Sequence, residues 1–240
     1  MNLILSYLNP FTPISNKKVK TPWGNIKPKV DMFPIIYLIF IYGIVYILPF
    51  GENLIGMSWF EWCRSEDGPI EWIQLFLYLG AGLFAMSSLI KRVKYGLTLN
   101  LIIWGLILFL CIVVAGAEIN WGERITRYGI ESIRNINYQN EYNLHNFHYI
   151  HLLLLDPSFE ISCILFGFIG WKYFPKLDAL PSKKYSLYFL FVALFHLYFN
   201  LSFYSDLQQI RNDQEVFELL MALGLFLHCK DNSIIRLNKK

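Results

Sequence analysis

The sequence predicts an all-α polytopic transmembrane bundle of about six helices. Three observations carry that prediction. Of the 240 residues, 55% are hydrophobic and only 16% charged, with a mean hydropathy of +0.38; a soluble domain carries about 25% charged residues. Apolar runs of roughly 20 residues, the length that crosses a bilayer, recur along the chain. The charges between those runs alternate in sign from one gap to the next.

Residues 1–32 form a basic segment holding Lys17, Lys18, Lys20, Lys27 and Lys29. Pro22 and Pro28 argue against a regular element there. The chain start is apolar but lacks a basic leader and a small-residue cleavage site, so no cleavable signal peptide is expected. A transmembrane domain follows over 33–228, with spans at about 33–50, 69–90, 97–117, 158–174, 185–204 and 214–228. Pro34 suits the first turn of the first span. Gly68-Pro69-Ile70-Glu71 reads as an N-cap, a proline at N1 and an acid at N3. Asp156-Pro157 opens the fourth span in the same way. Asn212-Asp213-Gln214-Glu215 resembles a capping box and starts a sixth span that is short for a full crossing. Residues 229–240 are a basic tail.

The charges test the six-span topology. The amino-terminal segment, the second and fourth loops and the tail share one side. They hold 16 of the 21 Lys and Arg residues and only three acids, Asp31, Asp178 and Asp231. The other side holds five Arg, no Lys and the remaining 15 acids. The positive-inside rule then puts both termini in the cytoplasm. An Asn-, Ile- and Lys-rich composition fits an AT-rich bacterial genome, so the expected location is a bacterial inner (plasma) membrane. The lipid bilayer is the expected partner. With a net charge of +3, nucleic acid is not. The oligomeric state is not legible. Four scattered cysteines, none in a CxxC pair, indicate neither a zinc knuckle nor a disulfide framework.

The polar stretch Gly116–His151 lies between two apolar runs and holds four acids, three arginines, three histidines and six asparagines. The topology places it outside the cytoplasm. Acids recur at the outer ends of the spans. Helix capping explains Asp67, Glu71, Asp156 and Glu215. It does not explain Glu118, at a helix C-terminus, or Glu218, a turn inside the last span. Glu71, Gln74 and Tyr78 share a helix face. His196 and Asn200 stack at i, i+4 on the fifth span. His196 is either a functional group or an interhelical hydrogen-bond partner of a residue such as Gln74. The bundle is expected to be dry towards the cytoplasm and polar towards the outside.

Arg124, Arg127, Glu131 and Arg134 would share one face of an interfacial helix, with Ile125, Ile133 and Ile136 opposite. Such arginines either hold an anionic headgroup or pair with outer acids such as Glu118 and Glu123. Glu141, His145 and His148 would share a face and raise the question of a divalent metal as cofactor. One straight helix cannot bring His145, His148 and His151 to a single ion, because His145 and His151 lie about 9 Å apart along the axis. At most His145 and His148 would ligate, with carboxylates from elsewhere.

Glu118-Ile-Asn-Trp121-Gly122-Glu123-Arg124 and Asn137-Tyr-Gln139-Asn-Glu141-Tyr-Asn143-Leu144-His145-Asn146 resemble a pair of motifs in a group of bacterial polytopic membrane proteins with no assigned activity. Glu66-Asp67-Gly68, Glu215 and Glu218 belong to the same pattern. The resemblance implies that these residues form one site. A fainter similarity, through Trp62-Cys63 and the acids after it, is to alkaline-ceramidase-like membrane hydrolases. Those have seven spans and a histidine pair on the last helix, and this chain has neither.

Three readings follow. In the first, the protein is a membrane-embedded enzyme, such as a hydrolase, acting on a lipid or lipid-linked substrate. Glu118, Glu141, His145 and Glu218 are then the catalytic candidates, and Arg124, Arg127, Trp121 and Asn143 the substrate-binding ones. In the second it is a non-catalytic subunit or scaffold whose polar loop is a plug or a partner surface. In the third, Glu218 and His196 form the proton relay of a transporter. No nucleophile elbow, P-loop, HExxH or dinucleotide fingerprint is present.

Overall fold

A computed structural model describes residues 20–21, 24–25, 32–42, 62–63, 68–94, 96–126, 128, 156–202 and 208–234. The regular elements among them are helices, apart from a two-residue ladder pairing β1 (Lys20–Thr21) antiparallel with β2 (Gly24–Asn25). The basic segment thus holds one small regular element despite its prolines. Pro22 falls between the paired residues in sequence, so it takes no donor from the ladder.

The helices are α1 (Phe33–Leu38, continued by wider turns to Tyr42), α2 (Pro69–Val93), α3 (Leu99–Glu118), α4 (Glu123–Thr126), α5 (Asp156–Ile164), α6 (Gly170–Tyr173), α7 (Ser186–Ser202) and α8 (Gln208–Ile234). Among the described residues, two helices, α2 and α3, are long and apolar enough to cross a membrane. The second half of the expected first span lies outside the described residues.

Helix α2 starts where its sequence signals put it. Gly68 is the N-cap, Pro69 fills N1, and Lys91 and Arg92 close the last turn, where the helix dipole favours cations. Its two faces are inverted relative to a water-exposed helix. The buried stripe is Glu71, Gln74, Leu75, Tyr78, Ala81, Gly82, Ala85, Ser88 and Arg92. The exposed stripe is Trp72, Ile73, Phe76, Leu79, Leu83, Met86, Ile90 and Val93. Polar and small residues face inward and large apolar ones face out. Helix α3 likewise exposes Leu99, Ile102, Leu106, Phe109 and Ile112. Thr98 caps α3, its side chain accepting from Leu101 N at 3.2 Å.

Helix α2 packs chiefly on α3 and α8. It runs parallel to α8: Gln74 meets Glu215 near their starts, and Lys91 donates to Ser233 O near their ends. Helix α7 runs against α8, since Tyr185, just before α7, meets Leu227 and Asp231, while His196 lies by Glu218. Helix α1 also runs against α8, from Phe33 beside Tyr188 to Tyr42 beside Phe217. The core between these helices is built on Trp104, Tyr78, Tyr188, Phe189, Leu220 and Leu225. Gly224 lets α7 approach α8 closely, for a Cβ there would lie 2.6 Å from Tyr188 Cβ.

Helices α5 and α6 are one rod interrupted by a π-type turn, Leu165–Ile169. A π turn shifts carbonyls out of register and leaves them needing donors. Gly167 O has two side-chain donors: Trp171 Nε1 at 2.7 Å and the Ser186 hydroxyl.

The last helix corrects the sequence expectation. It begins at Gln208, not at Asn212-Asp213, and runs to Ile234, 27 residues or about 40 Å. Asn212 to Glu215 therefore lie inside a helix, and no capping box forms. The first turns of the "basic tail" are also helical, with Cys229, Asn232 and Ser233 buried. Tertiary packing on α2 and α7 extends the helix through polar residues that local signals treat as ends.

Candidate functional site

The turn after α3 builds the acidic end of the bundle. Asn120 and Trp121 adopt left-handed backbone conformations, with φ of 46° and 54°, and Gly122 follows at 95°. Two consecutive non-glycine residues in this region are unusual and must be held there by their surroundings. Asn120 is buried. The Trp121 ring folds back onto α3, where a Cβ on Gly116 would lie 3.0 Å from it. The reversal lets α4 return Arg124 to the end of α3. There its guanidinium donates to Glu118 O at 2.8 Å and pairs with the Glu71 carboxylate at the start of α2. A cation at a helix C-terminus and a carboxylate at a helix N-terminus both suit the macrodipoles.

Four carboxylates meet at this end. Glu118 lies within electrostatic range of Glu71, Glu218 and Arg124, and Glu215 within range of Glu71, Glu118 and Glu218. Tyr78 lies within electrostatic range of Glu118 and Glu218. Gln74, 0% exposed, donates from Nε2 to both Glu215 O and Glu215 Oε2 at 3.0 Å. Gln214 Nε2 donates to Glu218 Oε1 at 2.7 Å. His196 Nε2 stands 4.0 Å from Glu218 Oε1, with its ring against Phe159.

The structure thus brings together Glu118, Glu218 and Arg124 of the sequence candidates, along with Glu71, Gln74, Glu215 and His196. Trp121 sits beside them as a half-exposed cover on Gly116 rather than inside the cluster. Arg127, Glu141, Asn143, His145 and His148 lie outside the described residues, and so does most of the expected interfacial helix. Among the described residues no three His, Cys, Asp or Glu side chains are placed to hold one metal ion.

Two expectations change. Gln74 bonds Glu215 and not His196, because parallel packing of α2 and α8 sets them side by side. Glu215 does not open a helix but lies two turns inside α8, whereas Glu71 sits in the first turn of α2 as expected and also pairs with Arg124. Arg124 does pair with an outer acid, Glu71, and also donates to the Glu118 backbone carbonyl.

The opposite end is not dry, contrary to expectation. Arg92 pairs with Asp178 and lies 5.2 Å over the Trp104 ring. His228, buried, stacks on Trp104 at 5.4 Å with an interplanar angle of 4°. Its Nε2 lies 3.0 Å from Ala179 O, an acceptor, so Nε2 carries the proton, and Nδ1 accepts from Asn232 Nδ2 at 3.2 Å. Asn100 Oδ1 accepts from Ala179 N at 3.2 Å. These bonds pull the segment Ala179–Ser182 into the bundle as a buried plug. Beside it, Lys184 pairs with Asp231, and Tyr185 donates to Asp231 Oδ2 at 2.7 Å. Burial pushes the Asp231 carboxyl up, but the Lys184 ammonium and the Tyr185 hydroxyl outweigh it and hold the group below the usual carboxylate range. The cluster was legible in one respect: Asp178 and Asp231 are two of only three acids on the basic side, and both are in ion pairs.

A scan against protein-family models and searches of curated proteins and of solved structures returned no significant match, so this chain's function rests on the geometry above.

Proposed function

We propose that this chain is a six-span integral membrane protein of a bacterial inner membrane, with both termini cytoplasmic. Its acidic outer end would do acid–base chemistry on a lipid or lipid-linked substrate. The inverted faces of α2 and α3 favour lipid as their surroundings: apolar side chains cover the outside, while polar and small ones make the helix contacts. The directions of α1, α2, α7 and α8 alternate as six spans require. Acids gather at one end and Lys residues at the other, in keeping with the loop charges.

One observation carries the chemistry. Glu118 is partly buried among Glu71, Glu218 and Arg124, yet its carboxylate makes no hydrogen bond among the described residues, while Arg124 donates to the Glu71 carboxylate and the Glu118 carbonyl. A carboxylate held against other carboxylates in a low-dielectric site is set up to exchange a proton with a bound group. Glu218, bonded by Gln214 and near His196, is the second acid–base candidate.

The test is a comparison of lipid extracts by mass spectrometry from cells expressing wild type or Glu118→Gln at equal levels. The reading expects lipid species that change with wild type and not with the variant. Identical profiles would remove it. A reporter fused after Lys240 tests the topology and should register a cytoplasmic location.

The 4.0 Å approach of His196 to Glu218 favours a second reading, a proton relay. That reading expects faster decay of a pH gradient across proteoliposomes with wild type than with Glu218→Gln.

A further inference from the structure

We infer that the acidic cluster binds a primary ammonium group. This inference rests on the lipid-directed reading above and names the part of the substrate that the site would recognise.

Two buried hydrogen-bond acceptors, Gln74 Oε1 and Glu160 Oε1, lack donors among the described residues. Gln74 spends its amide N–H groups on the carbonyl and carboxylate of Glu215. Its orientation is fixed, since turning the amide over would set its oxygen against two acceptors. Gln74 Oε1 is therefore a fully buried acceptor on a side chain bonded into the cluster, with no donor among the described residues. Glu160 Oε1, on α5, is a second buried acceptor without one. Glu160 and Glu218 both lie within electrostatic range of Cys163. The Glu118 carboxylate adds further acceptor capacity. A buried acceptor without a donor costs free energy, and native structures keep such groups where a ligand or solvent completes them.

The missing component must carry several N–H or O–H donors and positive charge. A primary ammonium supplies three donors on one cationic centre. A quaternary ammonium supplies the charge but no N–H, so Gln74 Oε1 would stay unsatisfied. A group that offers only acceptor oxygens would leave Gln74 Oε1 and Glu160 Oε1 without donors. Two sources fit the chemistry: an ethanolamine lipid headgroup, reaching the site from the bilayer, and a soluble amine.

The experiment measures thermal unfolding of the full chain in detergent. The additions, at equal concentrations, are dihexanoyl phosphatidylethanolamine, dihexanoyl phosphatidylcholine and ethanolamine hydrochloride. A ligand that binds only the folded state raises Tm. The inference expects a rise of roughly 2–4 °C or more with the ethanolamine lipid and none with the choline lipid. A rise with free ethanolamine as well assigns the site to soluble amines too; a rise with the lipid alone assigns it to the headgroup. Equal shifts from the two lipids, or no shift from either ethanolamine compound, overturn the inference. Glu118→Gln should abolish the rise, and a rise kept in a folded variant overturns it too. If that variant does not fold, the wild-type comparison of the two lipids decides alone. The two ideas fail separately. An ethanolamine shift without Glu118-dependent lipid conversion removes the acid–base reading. Conversion without the shift removes the ammonium.

Discussion

Arg124 joins the carboxylate of Glu71, in the first turn of α2, to the C-terminal end of α3, through a turn in which Asn120 and Trp121 hold left-handed backbone conformations. The Arg124 and Glu71 side chains are 13% and 8% exposed, so neither end of the pair is solvated. Arg124→Gln should therefore destabilise the protein by about 3–5 kcal/mol, because it takes the cation away from a buried carboxylate. Glu71→Gln in the same chain should recover part of that loss. Thermal unfolding of the two single variants and the double variant measures the coupling, and additive losses would contradict a direct pair.

The close approach of α7 and α8 makes Gly224 sensitive. Gly224→Ala puts a Cβ 2.6 Å from Tyr188 Cβ, near the backbone, where nothing can rotate away. A cost of about 1–3 kcal/mol is expected. Gly80→Ala meets only the Phe226 ring edge, at 2.7 Å, which a side-chain rotation relieves. The expected order is a larger fall in Tm for Gly224→Ala than for Gly80→Ala.

His228→Phe keeps a ring against Trp104 but leaves Ala179 O without its donor. The expected loss is about 1–3 kcal/mol, the cost of an unsatisfied buried acceptor. Release of the plug should accompany it. Protease cleavage between Leu177 and Lys184 should be faster in the variant than in wild type under native conditions.

Asp231 lies beyond the apolar part of α8, and its carboxyl is held below the usual range when folded. A depressed folded-state pKa contributes stability above the unfolded value of 3.8, and that contribution is lost as pH falls through the folded value. Wild type should therefore be more stable than Lys184→Met at neutral pH, with the gap closing as pH falls below about 4. A gap that stays constant from neutral to acid pH would show that Lys184 acts through packing alone.

The sequence by itself determined the helical class, the start of α2, the shared helix face of Glu71, Gln74 and Tyr78, and the placing of Glu118, Glu218 and Arg124 at one end. Those features follow from local periodicity, proline and glycine signals, and charge counts, which need no knowledge of neighbours. Only the tertiary structure decided which groups pair. Gln74 goes to Glu215, Arg124 to Glu71, Arg92 to Asp178 and His228 to Ala179, because the relative direction and depth of α2, α7 and α8 set those distances. It also carried α8 through Asn212–Glu215 and drew Ala179–Ser182 inside. A helix end or a loop is a local preference worth about 1 kcal/mol, and packing across several helices outweighs it.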